Sequence, residues 1–447
     1  MMLPEPSVSV LGLDPTHRNC VLNGNAFQQD AIQSYNGWQY ACFYSQLAAD
    51  GAKEPLFIHL SRRKLPEGKW ETFVFDDYPQ TTDDGHNTVQ LGICPGDGTI
   101  HLSYDHHCDI IRYRHSHPGV AQTPESHTWS KALFTPHLTR LPGLSASDDE
   151  LFSYITYPRF VQLGSSLLFS WRTGKAGLGD DHVALYTPST GYAVLGTSLK
   201  GVDNNPYIHG LDYRAGRLHA TWVYRGFVRY AGWDDPRDTQ HKRQAGPNSA
   251  ANNHDICYAY SDDGGRAWRN GAGDLVADLG NGDDGVRPDA PGIVAFEIPK
   301  GSGLTNQEAQ AVDGEGGVHV LNRDAVGGEQ RWKHYYRSPD GVWTQRALPH
   351  VTCGKRGQLA VSKDDDLYLI LPDQASSTLT ILKASKKTKY SKYELVWREG
   401  GFPPTEPLVD TTRLEYDNVL SVFTRSSNGS DMDSHAQVDV VVLDFKL

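Results

Sequence analysis

Residues 84–107 read DGHNTVQLGICPGDGTIHLSYDHH. Pro95-Gly96-Asp97-Gly98 at its middle is a turn of the kind that joins antiparallel strands. The flanking runs alternate apolar and polar residues, and polar or charged residues close both ends. The same unit recurs along the chain: a polar opening, an alternating strand, a Gly/Asp turn, a second alternating strand and a polar end. It is found at Asn25–Tyr44, Asp84–His106, Tyr157–Arg172, Tyr207–Arg225, Asn306–Arg323, Arg356–Leu371 and Asp410–Arg425. From Gln28 to Arg413 the units advance by about 64 residues per step, close to a seventh of the 447-residue chain.

A hairpin of this kind buries its two faces only against neighbouring copies of itself, which is the logic of a propeller blade. The expected fold is therefore all-β, a seven-bladed β-propeller, with six or eight blades as alternatives because the spacing is irregular. Composition agrees: 44 Gly and 25 Pro suit many short strands joined by tight turns, and 46 aromatic residues supply a large core. Ser261-Asp262-Asp263-Gly264-Gly265-Arg266-Ala267-Trp268 fits S-x-D-x-G-x-x-W, the Asp-box, whose Asp and Ser close a hairpin turn while its Trp packs between sheets. Ser338–Trp343 is a shortened copy. SVSVLGLD near the start and VDVVVLDFKL at the end both read as strands, as needed if one terminus completes the other's blade. No low-complexity linker interrupts residues 1–447, which read as a single catalytic propeller domain.

Net charge is -12, from 42 basic and 54 acidic residues, so phosphate backbones are repelled in the absence of a basic stripe. The densest basic run, Lys386-Lys387-Thr388-Lys389, reads as a solvated hairpin tip. Nucleic acid is not an expected partner, and neither is a membrane, since no apolar run approaches the roughly 18 residues of a span. MMLPEPSVSV lacks the pattern of a signal peptide; a secreted protein written without its signal is the expected setting, with a weak pointer in the sequon Asn428-Gly429-Ser430. Six scattered cysteines form no CxxC pair, although a disulfide is possible.

In a propeller the ends of the inner hairpins crowd one mouth of the central channel. The second unit brings His86, Asn87, Asp105, His106 and His107 there, the third Tyr157, Arg159 and Arg172, the fourth Tyr207, His209, Tyr224 and Arg225. A cleft of histidines, tyrosines and arginines in an acidic protein suits a bound carboxylate. Arg172 closes a strand reading Leu-Leu-Phe-Ser-Trp-Arg, so its stem is packed and its planar fork faces the mouth. A carboxylate clamp beside His and Tyr is what β-elimination from a uronic acid requires: a base takes the C5 proton, the clamp stabilises the charge that develops, and an acid protonates the departing O4. In glucuronate the C5 proton and O4 lie on one side of the ring, so Tyr157 alone could serve both steps. His101 and His219 fall inside second strands and read as packing residues. His254, Cys257 and His334 are metal ligands by type, with nothing in the sequence to bring them together.

These stretches, with NHDICYAYSDDGGRAW, NQEAQAVD and HYYRSPDGVW, resemble the BNR-repeat polysaccharide lyases, which include the propeller ulvan lyases and the fungal L-rhamnose-α-1,4-D-glucuronate lyases. The resemblance runs from about Asn25 to Arg425 and implies a seven-bladed propeller and metal-independent His/Tyr elimination, with no cofactor for the chemistry and any Ca²⁺ or Zn²⁺ structural. It matches the family's two histidines to His86 and His106, its tyrosine to Tyr157 and its charge-neutralising arginine to Arg172. Asn87, Tyr207, His209, Tyr224 and Arg225 are the expected substrate contacts, with Tyr213 a rival to Tyr224. The fungal branch, releasing rhamnose from the ends of arabinogalactan side chains such as those of gum arabic, is the expected activity of a monomeric enzyme on an acidic polysaccharide. The alternatives are an endo-acting ulvan lyase, a sialidase-like hydrolase, which would need an arginine triad and a Tyr–Glu pair, and a propeller lectin, whose sites would recur in every blade.

Overall fold

The computed structural model describes all residues except 1, 16, 26, 28, 48–54, 243–245, 350, 374–375 and 428–436. The sequon at Asn428 lies outside the described residues. Seven antiparallel sheets follow one another around the ring. Blade 1 is built from Ile32–Tyr35, Trp38–Gln46, Leu56–Lys64 and Glu71–Gln80, and blade 2 from Val89–Ile93, Ile100–Tyr104 and Tyr113–His115. Blade 3 holds Ile155–Leu163, Ser166–Thr173, Asp181–Thr187 and Gly191–Leu199; blade 4 is headed by Asn204–Arg214, Arg217–Gly226 and Asn253–Ser261. Blades 5 and 6 start at Ala309–Val312 and Gln358–Val361.

Blade 7 joins the two ends of the chain. Ser7–Leu13 pairs with Val438–Lys446, which pairs with Val419–Ser427 and through it with the short inner strand Leu408–Val409. The ring is thus closed by main-chain hydrogen bonds between the termini. The core is divided in the same way. Seven clusters of buried side chains lie one at each junction between neighbouring blades, from Tyr40 and Leu102 between blades 1 and 2 to Phe43 and Val440 between blades 7 and 1. Each sheet is apolar on both faces because both faces meet a neighbour.

The six hairpins from Asn25 to Leu371 form as their alternation predicts. The seventh unit differs: its opening, Thr411–Asp417, is a helix and not a strand. Asp410 caps it, accepting from the Arg413 amide at 3.0 Å, Leu414 is buried, and Asn418 ends it in the left-handed conformation. The Asp-box behaves as its motif requires. Asp263 accepts from the amides of Arg266 and Ala267, Ser261 from that of Gly265, and Trp268 is fully buried. The Lys386–Thr388 run is a short turn between two outer strands.

Blade 2 departs from the rest in a way that shapes the mouth. After Tyr104 the chain turns through Asp105 and Cys108, both with positive φ, and His107–Asp109 leaves its own blade to pair with Ile155–Leu163 of blade 3. Hydrogen bonds to the Asp105 carboxylate from the Tyr78 hydroxyl and Gln80 Nε2 hold that turn.

Candidate active site

The mouth is assembled from the openings and ends of the inner hairpins. On the blade 2 side, Asp84 sits in the turn before the first strand and its carboxylate is shared by two histidines: His86 Nδ1 lies 2.6 Å from Oδ1 and His107 Nδ1 2.5 Å from Oδ2. Neutral imidazoles so placed donate Nδ1–H to Asp84 and leave Nε2 as the basic nitrogen. The two rings stack at 3.8 Å between centroids, and Phe27 stacks on the outer face of His86 at 4.6 Å. Burial raises the Asp84 carboxyl, but its bonds to His107 and His86 outweigh burial and hold it far below the usual carboxylate range. Burial, with His86 beside it, pulls His107 down to about 4, so this imidazole is neutral at pH 7.

Asp84, His86 and His107 are also the one group of three metal-ligating side chains gathered among the described residues. In this structure their spacing is that of hydrogen-bonded partners. Oxygen–nitrogen separations of 2.5 and 2.6 Å are hydrogen-bond distances, whereas two ligands of a tetrahedral Zn²⁺ stand about 3.4 Å apart. The three side chains answer one another.

On the blade 3 and 4 side stand Tyr157, Arg172, Tyr207 and Arg225. Tyr157 lies in a bulge of its strand with φ of +57°, a conformation a bulky residue seldom adopts, which turns its ring toward the mouth. Its ring lies 5.2 Å from Phe27, 5.7 Å from His86 and 6.1 Å from Tyr207, with the Arg172 guanidinium 5.0 Å from its centroid. Burial, then Tyr207, raises the Tyr157 phenol against the pull of Arg172, Arg225 and Arg356, so it rests protonated.

Arg172 Nη1 donates to Asn205 Oδ1 at 3.0 Å and to the Tyr207 hydroxyl at 3.1 Å; Nη2 reaches Thr156 and the Gly174 carbonyl at 3.4 Å, and Nε has no partner. Arg225 donates from Nη1 to the same Tyr207 hydroxyl at 3.2 Å, from Nε to Asn253 and from Nη2 to Asn306. Among the described residues neither guanidinium forms an ion pair, although Arg172 is only 3% exposed. Beyond them Arg356 lies over Phe27 and is paired with Glu406 at 3.1 Å. Two cations without an ion pair among the described residues, Arg172 buried and Arg225 half-buried, are focused on one phenol and make a receptor for an anion.

The structure therefore brings together His86, Tyr157, Arg172, Tyr207 and Arg225 from the residues that the sequence marks. Asn87 lies in the Asp84 turn, its amide donating to the Asp84 carbonyl and its Oδ1 buried without a partner. Four expectations are corrected. His106 turns back into its own blade, Nε2 accepting from the Arg112 amide at 2.7 Å, and His107 takes the place beside Asp84, because the positive φ at Asp105 and Cys108 redirects the chain after Tyr104. By strand alternation Arg225 reaches the site while Tyr224, one residue earlier, packs between blades 3 and 4, where Tyr213 also lies. His209 lies deeper, its Nδ1 accepting from the Glu308 amide, and burial pulls it to about 3. Arg159 faces the axial channel and donates to the Ile208 carbonyl at 2.6 Å. His254 bonds to Asp255 and Asn204, and His334 to His319 and Tyr393, so with Cys257 they form no common metal site. Asp84, Phe27, Asn306 and Arg356 went unmarked, although Asp84, Asn306 and Arg356 each open a hairpin unit, as Tyr157 and Tyr207 do.

Comparisons with known proteins bear on this site. The family model for BNR repeat-containing family members matches residues 38–351. The long isoform of ulvan lyase from Pseudoalteromonas sp. (strain PLSV) is 24% identical over 329 residues, covering 66% of this chain and 31% of that protein. The short isoform from Alteromonas sp. (strain LOR) is 26% identical over 293 residues, covering 57% of this chain and 52% of that protein. The chain thus spans about a third of the length of the long isoform and half of the short one. The crystal structure of polysaccharide lyase Uly1 superposes over 100% of both chains with a TM-score of 0.71 at 18% identity, a likeness of fold.

Proposed function

Since the chain belongs to the BNR repeat-containing family, we propose that it is a polysaccharide lyase that cleaves the L-rhamnosyl-α-1,4-D-glucuronate bond by β-elimination. The observation that carries this reading is the pair of guanidiniums, buried Arg172 and half-buried Arg225, that hold the Tyr207 hydroxyl and form no ion pair among the described residues. A uronate carboxylate supplies the missing charge. The Arg172 Nε–H, which has no partner, is a donor left for it.

In the proposed reaction the carboxylate binds at Arg172 and Arg225, which stabilise the enediolate that forms as C5 loses its proton. His86 is the base: Asp84 holds its Nδ1–H, so Nε2 presents its lone pair to the cleft. Tyr157, protonated at rest and 5.7 Å from His86 between ring centroids, is the acid that protonates O4. The C5–H electron pair becomes the C4=C5 double bond, the C4–O4 bond breaks, and rhamnose leaves with the tyrosine's proton. Base and acid share one side of the site, as glucuronate's syn arrangement requires. The steps use side-chain groups alone, and no cofactor is assigned to the chemistry.

The relatives named ulvan lyases support elimination. End-on release of rhamnose is favoured over endo attack on a sulfated polymer by the net charge of -12 and by the absence of a lysine cluster among the residues forming the site. Incubation with rhamnose-capped arabinogalactan tests the reading: free rhamnose and an ultraviolet-absorbing unsaturated uronate are expected, with no early fall in polymer size. A saturated uronate would identify a hydrolase. Rapid loss of viscosity from ulvan without free rhamnose would identify the endo-acting branch.

A further inference from the structure

Next to the arginine pair the same face of the propeller carries a groove of about 570 Å³, within the size range of pockets that hold small ligands. One wall is Ala250 and Ala251, on the chain that returns to the third strand of blade 4; the other is Gly303, Thr305 and Asn306. Arg356 is at its inner end. Asn306 belongs to the groove and to the site at once, since its Oδ1 accepts from Arg225 Nη2 at 3.0 Å and from Arg356 Nη2 at 3.4 Å. The groove therefore begins where the anion receptor ends.

The opposite side is covered. Lys242, in the long connection after Gly226, reaches the Asp109 carboxylate at 4.0 Å, and Lys175 donates to the Trp233 carbonyl. This connection lies against the strand that carries His107 and against the loop that follows Arg172. The groove is thus the open side beside Arg172 and Arg225.

We propose that this groove is a subsite for the neutral sugars that carry the reactive uronate, an inference that rests on the lyase reading above. Its chemistry selects neutral rings. Ala250, Ala251, Gly301, Gly303 and Gly354 offer small side chains and main-chain polar groups, suited to flat sugar faces and hydroxyls. The two cations at its edge already have carboxyl partners, Arg323 with Glu308 at 3.1 Å, a group that burial raises to about 7, and Arg356 with Glu406 at 3.1 Å, so a sulfate would compete there with the protein's own acids.

Ala250→Trp fills the groove from an exposed position on a short turn. The test compares kcat and KM for rhamnose-capped arabinogalactan with those for a short rhamnosyl-glucuronide in the wild type and this variant, with thermal denaturation to confirm the fold. The polymer's KM is expected to rise about fivefold or more relative to any change for the short glycoside. Ala251→Trp repeats the test from the neighbouring wall. An equal effect on both substrates, or no effect on the polymer, overturns the groove while leaving the lyase reading intact. If the wild type makes unsaturated uronate from neither substrate, the lyase reading falls and the subsite with it.

Discussion

Arg159 and Arg172 come from one hairpin, Ile155 to Thr173, and are both buried, yet they meet opposite surroundings. Arg159 faces an axial cavity of about 110 Å³ and lies in the field of Asp181, Asp30 and Asp212. Burial pushes Asp30 and Asp181 up to about 7 and Asp212 to about 6, so the three carboxyls share protons around one guanidinium. Arg172 is hydrogen-bonded by an amide, hydroxyls and a carbonyl and flanked by the rings of Tyr157 and Tyr207, and it feels only Asp181 of those carboxyls, which bonds to Ser170 and not to it. A buried cation with its own acids is part of the scaffold. One whose hydrogen-bond partners are all neutral keeps its fork open to a countercharge from outside.

Substitutions at these two positions test the contrast most strongly. Arg172→Ala should lower turnover by about 10²–10³-fold or more, the scale of one lost oxyanion donor, with the fold retained. Arg172→Lys should not restore it, because a point charge lacks the fork. Arg159→Ala should instead cost stability, about 3–5 kcal/mol, by stripping the channel carboxyls of their cation. Steady-state kinetics and denaturant unfolding of both variants separate the outcomes; an Arg159→Ala protein of wild-type stability but without turnover would erase the distinction.

Asp84 comes next in size. Asp84→Asn keeps the shape but can no longer accept both Nδ1–H groups, so kcat should fall by about 10²-fold, the contribution of an aligned base. His86→Ala should be no milder, and a double variant should add little to either single one, since the pair acts as a unit.

The two regions should also titrate with opposite sign. His107 is held near 4 against an ordinary 6.5, so the unfolded chain binds its proton first; the stability this confers is full above pH 6.5 and is lost as pH falls through 4. Asp181, raised from 3.8 to about 7 by burial, keeps a proton that the unfolded chain has released; its contribution is full below pH 3.8 and is lost as pH rises through 7. Thermal denaturation from pH 4 to 8 should show His107→Asn gaining on the wild type toward acid and Asp181→Asn gaining toward neutral pH. The smallest expected effect is that of metal removal: exhaustive chelation should leave initial rates unchanged and lower thermal stability at most. Activity lost and then restored by one added ion would contradict elimination by side chains alone.

Much of the scaffold was legible because strand alternation and turn chemistry are local. The hairpin at Asp84–His106 and the pairing of the two termini both follow from period-two patterning. The inner strand of blade 7 was not legible, because Asp410 caps a helix over residues that also alternate tolerably as a strand. The site was legible by type and less so by direction. Tyr157, Arg172, Tyr207 and Arg225 stand where hairpin ends place them, but His106 and His107 exchange roles through the positive φ at Asp105 and Cys108, which adjacent residues do not announce. Arg159 shows the same limit: only the surrounding carboxyls, contributed by other parts of the chain, reveal which buried arginine is already compensated.

The central claim is that Arg172 and Arg225 await a carboxylate. It is tested most directly by giving the wild-type enzyme two versions of one rhamnosyl-uronate substrate, one intact and one with the carboxyl reduced to an alcohol, and measuring binding by calorimetry and product by ultraviolet absorbance. Binding and unsaturated product from the intact substrate alone is the predicted result. Equal binding of the reduced substrate, or its cleavage at a comparable rate, would show that the two guanidiniums serve something other than a uronate.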